Sequence, residues 1–395
     1  MAGPAPKFTE SQLQQWKLIA HFRQLLAEHA PQSPEHPGWS ARKLKQFDYL
    51  SLFLLGLVNP TLKTLRGLSA ASQWERVQQE VCGSAVALGS LSEAQHLVDP
   101  QLLEGLIASL SEQIRAQGAL PTDLRQAWQV GLAQDSSLFA ATARMFWAQY
   151  GGGKAGHANH AVRLHVSLHL WDEQPARVTV TPGKVCERKV WREHLEAGAT
   201  YVGDRYYGQD YRMFARLQEK DCHFVLRLRD EAVLEGQREN PLDRAAEQAG
   251  VVADVWGVLG SVQRYRTQPL RVLTVRKPSG TLMRLVTNFS PEQMSACQLL
   301  TLYRRRWQVE CFFRWLKCLL GCRHWLAQSQ TGVTVQLYLA VIAGLMLHLV
   351  LGRRPSRRLW ECLQFYLTGW ATAEELLRAA QAEWAKTNAK KSVSL

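Results

Sequence analysis

With 395 residues, 46% hydrophobic and 21% charged, the chain has an ordinary globular composition, long enough for two or three domains, which excludes a disordered polymer. Lysine and arginine number 47 against 34 acids, formally +13, a surplus that suits a polyanion and favours nucleic acid over membrane, although a basic solvated surface accounts for it equally. Eight scattered cysteines, behind an N-terminus (MAGPAPKFTESQ) without a basic-then-apolar leader, read as reduced thiols in a cytosolic protein.

Residues 1–125 read as a helical N-terminal region, suited to binding a DNA end. The stretches 46–58, 72–83 and 92–116 space their apolar residues by three and four between Pro and Gly breaks. The run Arg42-Lys43-Leu44-Lys45 is either an exposed helix start or a contact for phosphates. From 126 the texture changes. AWQVGLAQD sets Trp128, Val130 and Leu132 on one face of a strand ending at Asp135. HAVRLHVSLHL then alternates, with Val162, Leu164, Val166, Leu168 and Leu170 on one side and Arg163, His165, Ser167 and His169 on the other. ARVTVT (176–181) is a third strand, 187–197 a helix, ATYVGD a short strand ending at Asp204, YRMFARLQEK a helix and 222–229 a fifth strand.

Three strands, helix, strand, helix, strand is the order of a ribonuclease-H-like mixed sheet flanked by helices, an α/β fold. Residues 126–229 form its first part. Residues 230–289 read as a β-rich insertion, with Pro278-Ser279-Gly280 as a hairpin turn. Ser290-Pro291-Glu292-Gln293 then predicts a capped start for one long helix running to Gly321, within a segment 290–352 that completes the sheet domain. The apolar run Val333–Leu351 reads as a buried core helix, since no second hydrophobic segment supports a membrane span. Residues 353–395 form a helical C-terminal region ending in a basic tail.

At about 100° per residue, Tyr303, Arg306, Glu310 and Lys317 fall on one stripe of the long helix, flanked by Trp307 and Arg314. Val309, Phe312, Trp315, Leu316 and Leu319 occupy the opposite side, toward which Arg305 must snorkel. Glu310 is then either an ordinary helical partner of Arg306 or Arg314, worth a few tenths of a kcal/mol, or an acid placed for chemistry. In the assumed sheet order the strand ends carrying Asp135 and Asp204 are neighbours, and a helix across the sheet can bring Glu310 beside them. Three converging carboxylates in a basic protein repel unless they share a cation. Two Mg²⁺ or Mn²⁺ ions are the usual answer and suit phosphodiester chemistry.

The spacing Tyr303-(2)-Arg306-(3)-Glu310-(6)-Lys317 resembles the Y-R-E-K signature of the insertion sequence four family of DDE transposases. QDSS around Asp135, KAGHANHAVRLHVSL after it and GDRYY around Asp204 are similar to that family's two Asp regions. VTNFS before the Glu helix and GCRHWLAQSQTGVTVQLYLAVIAGLML after it extend the resemblance across most of 128–350. It implies that Asp135, Asp204 and Glu310 are catalytic and hold two metal ions. It further implies that the enzyme cuts the terminal inverted repeats of its own element in double-stranded DNA and joins the freed 3′-OH to target DNA. Tyr303, Arg306 and Lys317 would contact phosphates near the cleaved end, with Arg205 and Arg314 as further DNA contacts. Trp307 would pack beside Tyr303 or stack on an extruded base. A cytoplasmic, nucleoid-associated homodimer on DNA, with no membrane partner, completes the implication. One departure stands out: where the family has Arg-Gly-Tyr after the second Asp, this chain has Arg205-Tyr206-Tyr207. A glycine there allows a positive φ, so Tyr206 puts the turn in question and keeps open a catalytically inactive DNA-binding regulator.

Other patterns are weaker. His157, His160, His165 and His169 lack a nearby cysteine and read as solvent- or DNA-facing imidazoles rather than a zinc site. Cys311, Cys318 and Cys322 with His324 lack CxxC pairs. Gly151-Gly152-Gly153-Lys154 is not a phosphate-binding P-loop and reads as a turn.

Overall fold

The computed structural model describes Thr9 and residues 14–29, 36–117, 131–152, 158–260, 265–319 and 325–393. Trp128, Val130, Gly153, Lys154, His157, Gly321, Cys322 and His324 lie outside them. The chain divides into two compact units, one of Met1–Gln117, Phe139–Val162 and Phe313–Leu395, the other of Gly118–Leu138 and Arg163–Phe312.

Ten strands form one mixed sheet. In chain order they are β1 (Gly131–Ala140), β2 (Gln149–Gly152), β3 (Ala158–His169), β4 (Pro175–Pro182), β5 (Thr200–Gly203), β6 (His223–Arg227), β7 (Leu234–Glu239), β8 (Val251–Leu259), β9 (Leu270–Arg276) and β10 (Leu282–Thr287). Across the sheet they run β2-β3-β1-β5-β6-β10-β9-β8-β7, with β4 beside β3. The segment β4-β3-β1-β5-β6 has the ribonuclease-H order. β5 lies parallel to both β1 and β6, as helical crossovers require, and β10 adds antiparallel to β6. The fold is therefore the α/β, ribonuclease-H-like sheet that the alternation implied, extended by a β-rich insertion ahead of the Glu helix.

The period-two pattern of β3 holds: Val162, Leu164, Val166 and Leu168 are buried, as is Leu170 just past the strand. The other face is less open than expected, because His165 is also buried and its Nε2 lies 2.9 Å from Thr181 Oγ1 on β4. Burial, with Arg163 and His194 adding repulsion, pushes the His165 imidazole down to about 4. The reading of the histidines as solvent- or DNA-facing thus fails at His165. Helices Glu187–Glu193 and Tyr211–Glu219 cross between the strands, and Trp191, Met213, Phe214 and Leu217 pack with Tyr201, Phe224 and Leu226 into a shared core.

In the insertion, Gly280 (φ 83°) turns the β9–β10 hairpin, and Lys277 N donates to Thr281 O at 2.9 Å. A short helix, Arg244–Gln248, precedes β8 and was not foreseen. Arg271 on β9 is 1% exposed yet forms a forked ion pair with Asp254 on β8, at 2.6 Å. Its Nη1 also donates to Met294 O at 2.6 Å, so the guanidinium fixes the chain just ahead of the Glu helix.

That helix differs from expectation at both ends of its first half. Ser290 and Gln293 do form reciprocal bonds, but they close a single turn. The helix begins afresh with a capping box between Ser295 and Gln298 and runs Ala296–Arg305. At Arg306 the ladder tightens, with Arg306 N bonded to Tyr303 O and Val309 N to Arg306 O, and a second segment follows over Trp307–Leu319. The apolar side is as read: Val309, Phe312, Trp315, Leu316 and Leu319 are buried. Arg305 snorkels, lying 4.9 Å over the Trp171 ring and donating to Leu170 O.

The other unit is largely helical. Helix Gln330–Leu351 is long and apolar enough to cross a membrane, but 83% of its most apolar window is buried inside the protein. It packs on helices Pro100–Gln117 and Gln46–Val58, where Tyr338 donates to Glu104 at 2.8 Å. Gly344 is obligatory there, because a Cβ would fall 1.6 Å from the Trp315 indole. Of the basic run, Arg42 pairs with Glu93 and Lys45 donates to the carbonyls of Trp39 and Ser40, ahead of a helix that starts at Gln46. No disulfide joins the described cysteines.

Candidate active site

β1 and β5 share the rung Ala133↔Val202. Two residues further on, β1 carries Asp135, and Asp204 follows directly on the end of β5, so the two aspartates leave the same rung on neighbouring parallel segments. Both carboxylates thus come to the place where β5 ends, near enough for the charge of Asp204 to be felt at Asp135. Asp135 was expected at the end of its own strand. Instead β1 continues to Ala140 beside β3, and it is the pairing with β5 that stops.

Each aspartate is held by a main-chain amide: Ser136 N donates to Asp135 Oδ1 and Tyr206 N to Asp204 Oδ1, both at 2.8 Å. Burial pushes the Asp135 carboxyl up to about 7, and repulsion from Asp204 and Glu187 adds to this against the Ser136 amide and Arg306. Asp135 is thus a largely buried acid only partly offset by its neighbours.

Arg306 supplies part of that offset. The guanidinium donates to Glu310 Oε1 at 2.6 Å, and its other nitrogen lies 3.9 Å from Asp135 Oδ2. Among the described residues no three His, Cys, Asp or Glu side chains stand close enough together to hold a metal ion. Glu310 is in its ordinary pairing four residues along the helix. The donor set nevertheless suits a hard cation: oxygen ligands only, two of them carried past the same rung of neighbouring parallel strands. Tyr303 is buried, with its ring 5.9 Å from the Arg306 guanidinium. Its hydroxyl is raised, chiefly by burial.

Trp307 is half exposed and Arg205 and Arg314 are exposed. Asp135, Asp204, Arg205, Tyr303, Arg306, Trp307 and Glu310 lie in one unit; Arg314 and Lys317 belong to the other, where the Lys317 ammonium sits 5.3 Å from the Phe139 ring centre. A groove opens beside Asp204 with Arg188, Arg205, Arg212 and Arg229 on its walls. Asp210, Asp230, Glu231 and Glu235 share those walls, so its lining has little net charge.

Tyr206 does not break the turn after Asp204. Its φ is −71° and ψ −39°, ordinary helical values open to any residue, and the Arg188 guanidinium lies 4.6 Å over its ring. The glycine this turn requires comes later: a Cβ on Gly208 would meet Arg227 O at 2.1 Å. The doubt that Tyr206 raised about the turn is therefore removed.

Sequence reading missed the groups behind the aspartates. Arg163 pairs with Glu187 and donates to Ser136 Oγ at 2.9 Å, and Tyr207 donates to Glu187 Oε2 at 3.3 Å. By sequence, Arg163 is an outward residue of an alternating strand and Glu187 the first residue of a helix. Neither sequence context signals an ion pair.

Among known proteins, the chain is 29% identical over 256 residues to the probable transposase for insertion sequence element IS5377 of Geobacillus stearothermophilus, covering 65% of this chain and 64% of that one. It is 30% identical over 207 residues to y4zB of Sinorhizobium fredii, named as a transposase, covering 51% and 56%. It thus spans less than two thirds of either relative's length. The likeness to a solved piggyBac transposase synaptic complex with hairpin DNA is loose, with TM-score 0.41 and 10% identity over 97% of this chain and 87% of that one. The sequence profile of the transposase DDE domain matches residues 129–346, more than half of the chain, and the chain belongs to that family.

Proposed function

We propose that this protein is a DNA transposase that binds the terminal inverted repeats of its own element, cleaves their phosphodiester bonds and joins the 3′-OH to target DNA. One observation carries the reading: Asp135 and Asp204 follow the same rung of parallel β1 and β5, close enough for Asp204 to repel Asp135, with Glu310 linked to Asp135 through Arg306. Membership of the DDE-domain family and the basic balance of the chain support it.

In this reading Asp135 and Asp204 hold divalent cations, two Mg²⁺ or Mn²⁺, and Glu310 joins them once its bond to Arg306 is exchanged. The chemistry such ions supply is a water of lowered pKa for the first cut and charge neutralisation at the departing 3′ oxygen. The protein's own residues orient the strand. Arg306, released from Glu310, takes a phosphate oxygen through its planar fork, and the Tyr303 hydroxyl and Lys317 contact the backbone near the cleaved end. Arg205 and Arg314, both exposed, add charge along the path, and the exposed Trp307 indole is available to stack on a base. Bringing two element ends together calls for two protomers, so the working form is a homodimer on DNA, in the cytoplasm.

A donor plasmid in which the inverted repeats flank a marker tests this in cells. Co-expression of the protein should excise the marker and insert it elsewhere, and Asp204→Ala should abolish both. Ends bound tightly but never cut by the unaltered protein would instead identify a DNA-binding regulator.

A further inference from the structure

Between the two aspartate-bearing segments lies a line of bonds that the cleavage chemistry does not use. Arg163, on β3, and Glu187, on the first turn of helix Glu187–Glu193, form an ion pair with side chains only 13% and 19% exposed. From Arg163, Nη1 also reaches Ser136 Oγ at 2.9 Å, beside Asp135, and Nε reaches Gly183 O at 3.1 Å. The other oxygen of Glu187 accepts the Tyr207 hydroxyl at 3.3 Å. Tyr207 belongs to the turn after Asp204, which closes through Gly208 N to Asp204 O at 3.2 Å. The line therefore runs Ser136, Arg163, Glu187, Tyr207, with one aspartate beside each end.

We infer that Arg163 and Glu187 are a positioning pair, fixing the Asp135 segment against the Asp204 segment and balancing the charge felt by a divalent cation between them. The inference rests on the reading of these aspartates as cation ligands. Both oxygens of Glu187 are engaged, by Arg163 and Tyr207, so in this inference it acts behind the ligands rather than as one. A largely shielded ion pair such as this often adds no net stability over a well-packed apolar pair, so stability is a weak reason for one here. Its bonds go to Ser136, next to Asp135, and to Tyr207, three residues after Asp204, so it acts on the carboxylates through the chain that carries them.

The two members carry opposite charges, so their removal has opposite consequences. Glu187→Gln leaves the Arg163 cation uncompensated behind Asp135, and cation affinity falls, by about tenfold on the scale of outer-shell changes. Arg163→Gln leaves the Glu187 anion uncompensated, and affinity holds or rises. The double variant returns toward the unaltered protein. A pair that served only to hold the fold would show both single variants weakened alike.

The test is Mn²⁺ titration of the full chain without DNA, read as loss of the free-ion electron paramagnetic resonance signal, with a thermal melt of each variant. Glu187→Asp and Arg163→Lys keep the charges if a neutral variant does not fold. They are expected to bind Mn²⁺ within about threefold of the unaltered protein, since the outer-shell charge that matters is kept. Asp135→Asn separates the two readings. If it leaves Mn²⁺ binding unchanged, the aspartates are not the ligands and the reading of the site fails. If it abolishes binding while Glu187→Gln and Arg163→Gln both match the unaltered protein, or both weaken it equally, the positioning pair is overturned.

Discussion

Arg306 holds the carboxylate of Glu310 at 2.6 Å, four residues along the same chain segment, and the same guanidinium stands 3.9 Å from Asp135. One cation thus links the acid of the helix to the acid of the sheet. A lysine ammonium is a point charge and cannot present two nitrogens in fixed directions. Arg306→Lys should therefore lower the rate of end cleavage by about 100-fold, the scale of a small misplacement at a reacting centre. Single-turnover cleavage of a duplex carrying the element end reads the effect. A rate within threefold of the unaltered protein would refute it.

The turn after Asp204 gives a contrast between neighbouring positions. Tyr206→Gly should cost about 1 kcal/mol, mostly in backbone entropy, because the tyrosine sits at ordinary helical angles. Gly208→Ala should cost about 1–3 kcal/mol, because its methyl would meet Arg227 O at 2.1 Å and the backbone must move. Urea unfolding of both variants shows which position the turn depends on.

Asp254→Ala strands the Arg271 guanidinium, which is 1% exposed, without its counter-ion. Breaking a buried pair in this way costs about 3–5 kcal/mol. Because Arg271 also holds Met294 O, the loss should extend to the start of the Glu helix and appear as faster amide exchange over Ala296–Arg305.

His165 predicts an acid-sensitive contribution to stability. Its pKa is about 4 in the fold and 6.5 for an unperturbed side chain, so between those values the unfolded chain binds the proton more readily. The contribution is complete above about pH 6.5 and is lost as pH falls toward 4. His165→Gln, which can still bond Thr181, should flatten the fall of melting temperature over that interval. An unchanged slope would count against a buried neutral imidazole.

Much of the fold was legible because it depends on local period. The alternation from Val162 to Leu170 marks β3 without reference to any partner, and the buried stripe of Val309, Phe312 and Leu316 marks the face of the Glu helix. What was not legible depends on where a partner ends. Asp135 lies inside β1, and its placement comes from β5 stopping after Gly203, which nothing near Asp135 encodes. The break at Arg306 and the fresh start at Ser295 likewise interrupt an unbroken apolar period. The site's acids could be read as acids. The Arg163–Glu187 pair could not, because the two residues belong to elements separated by the whole of β4.

The most direct test of the central claim is Mg²⁺-dependent nicking of a duplex bearing the terminal inverted repeat, by the unaltered protein and by Glu310→Gln, with binding to the same duplex measured alongside. Nicking at the element boundary is expected to require Mg²⁺ and to be lost in Glu310→Gln without a matching loss of binding. Nicking that persists undiminished in Glu310→Gln would contradict it.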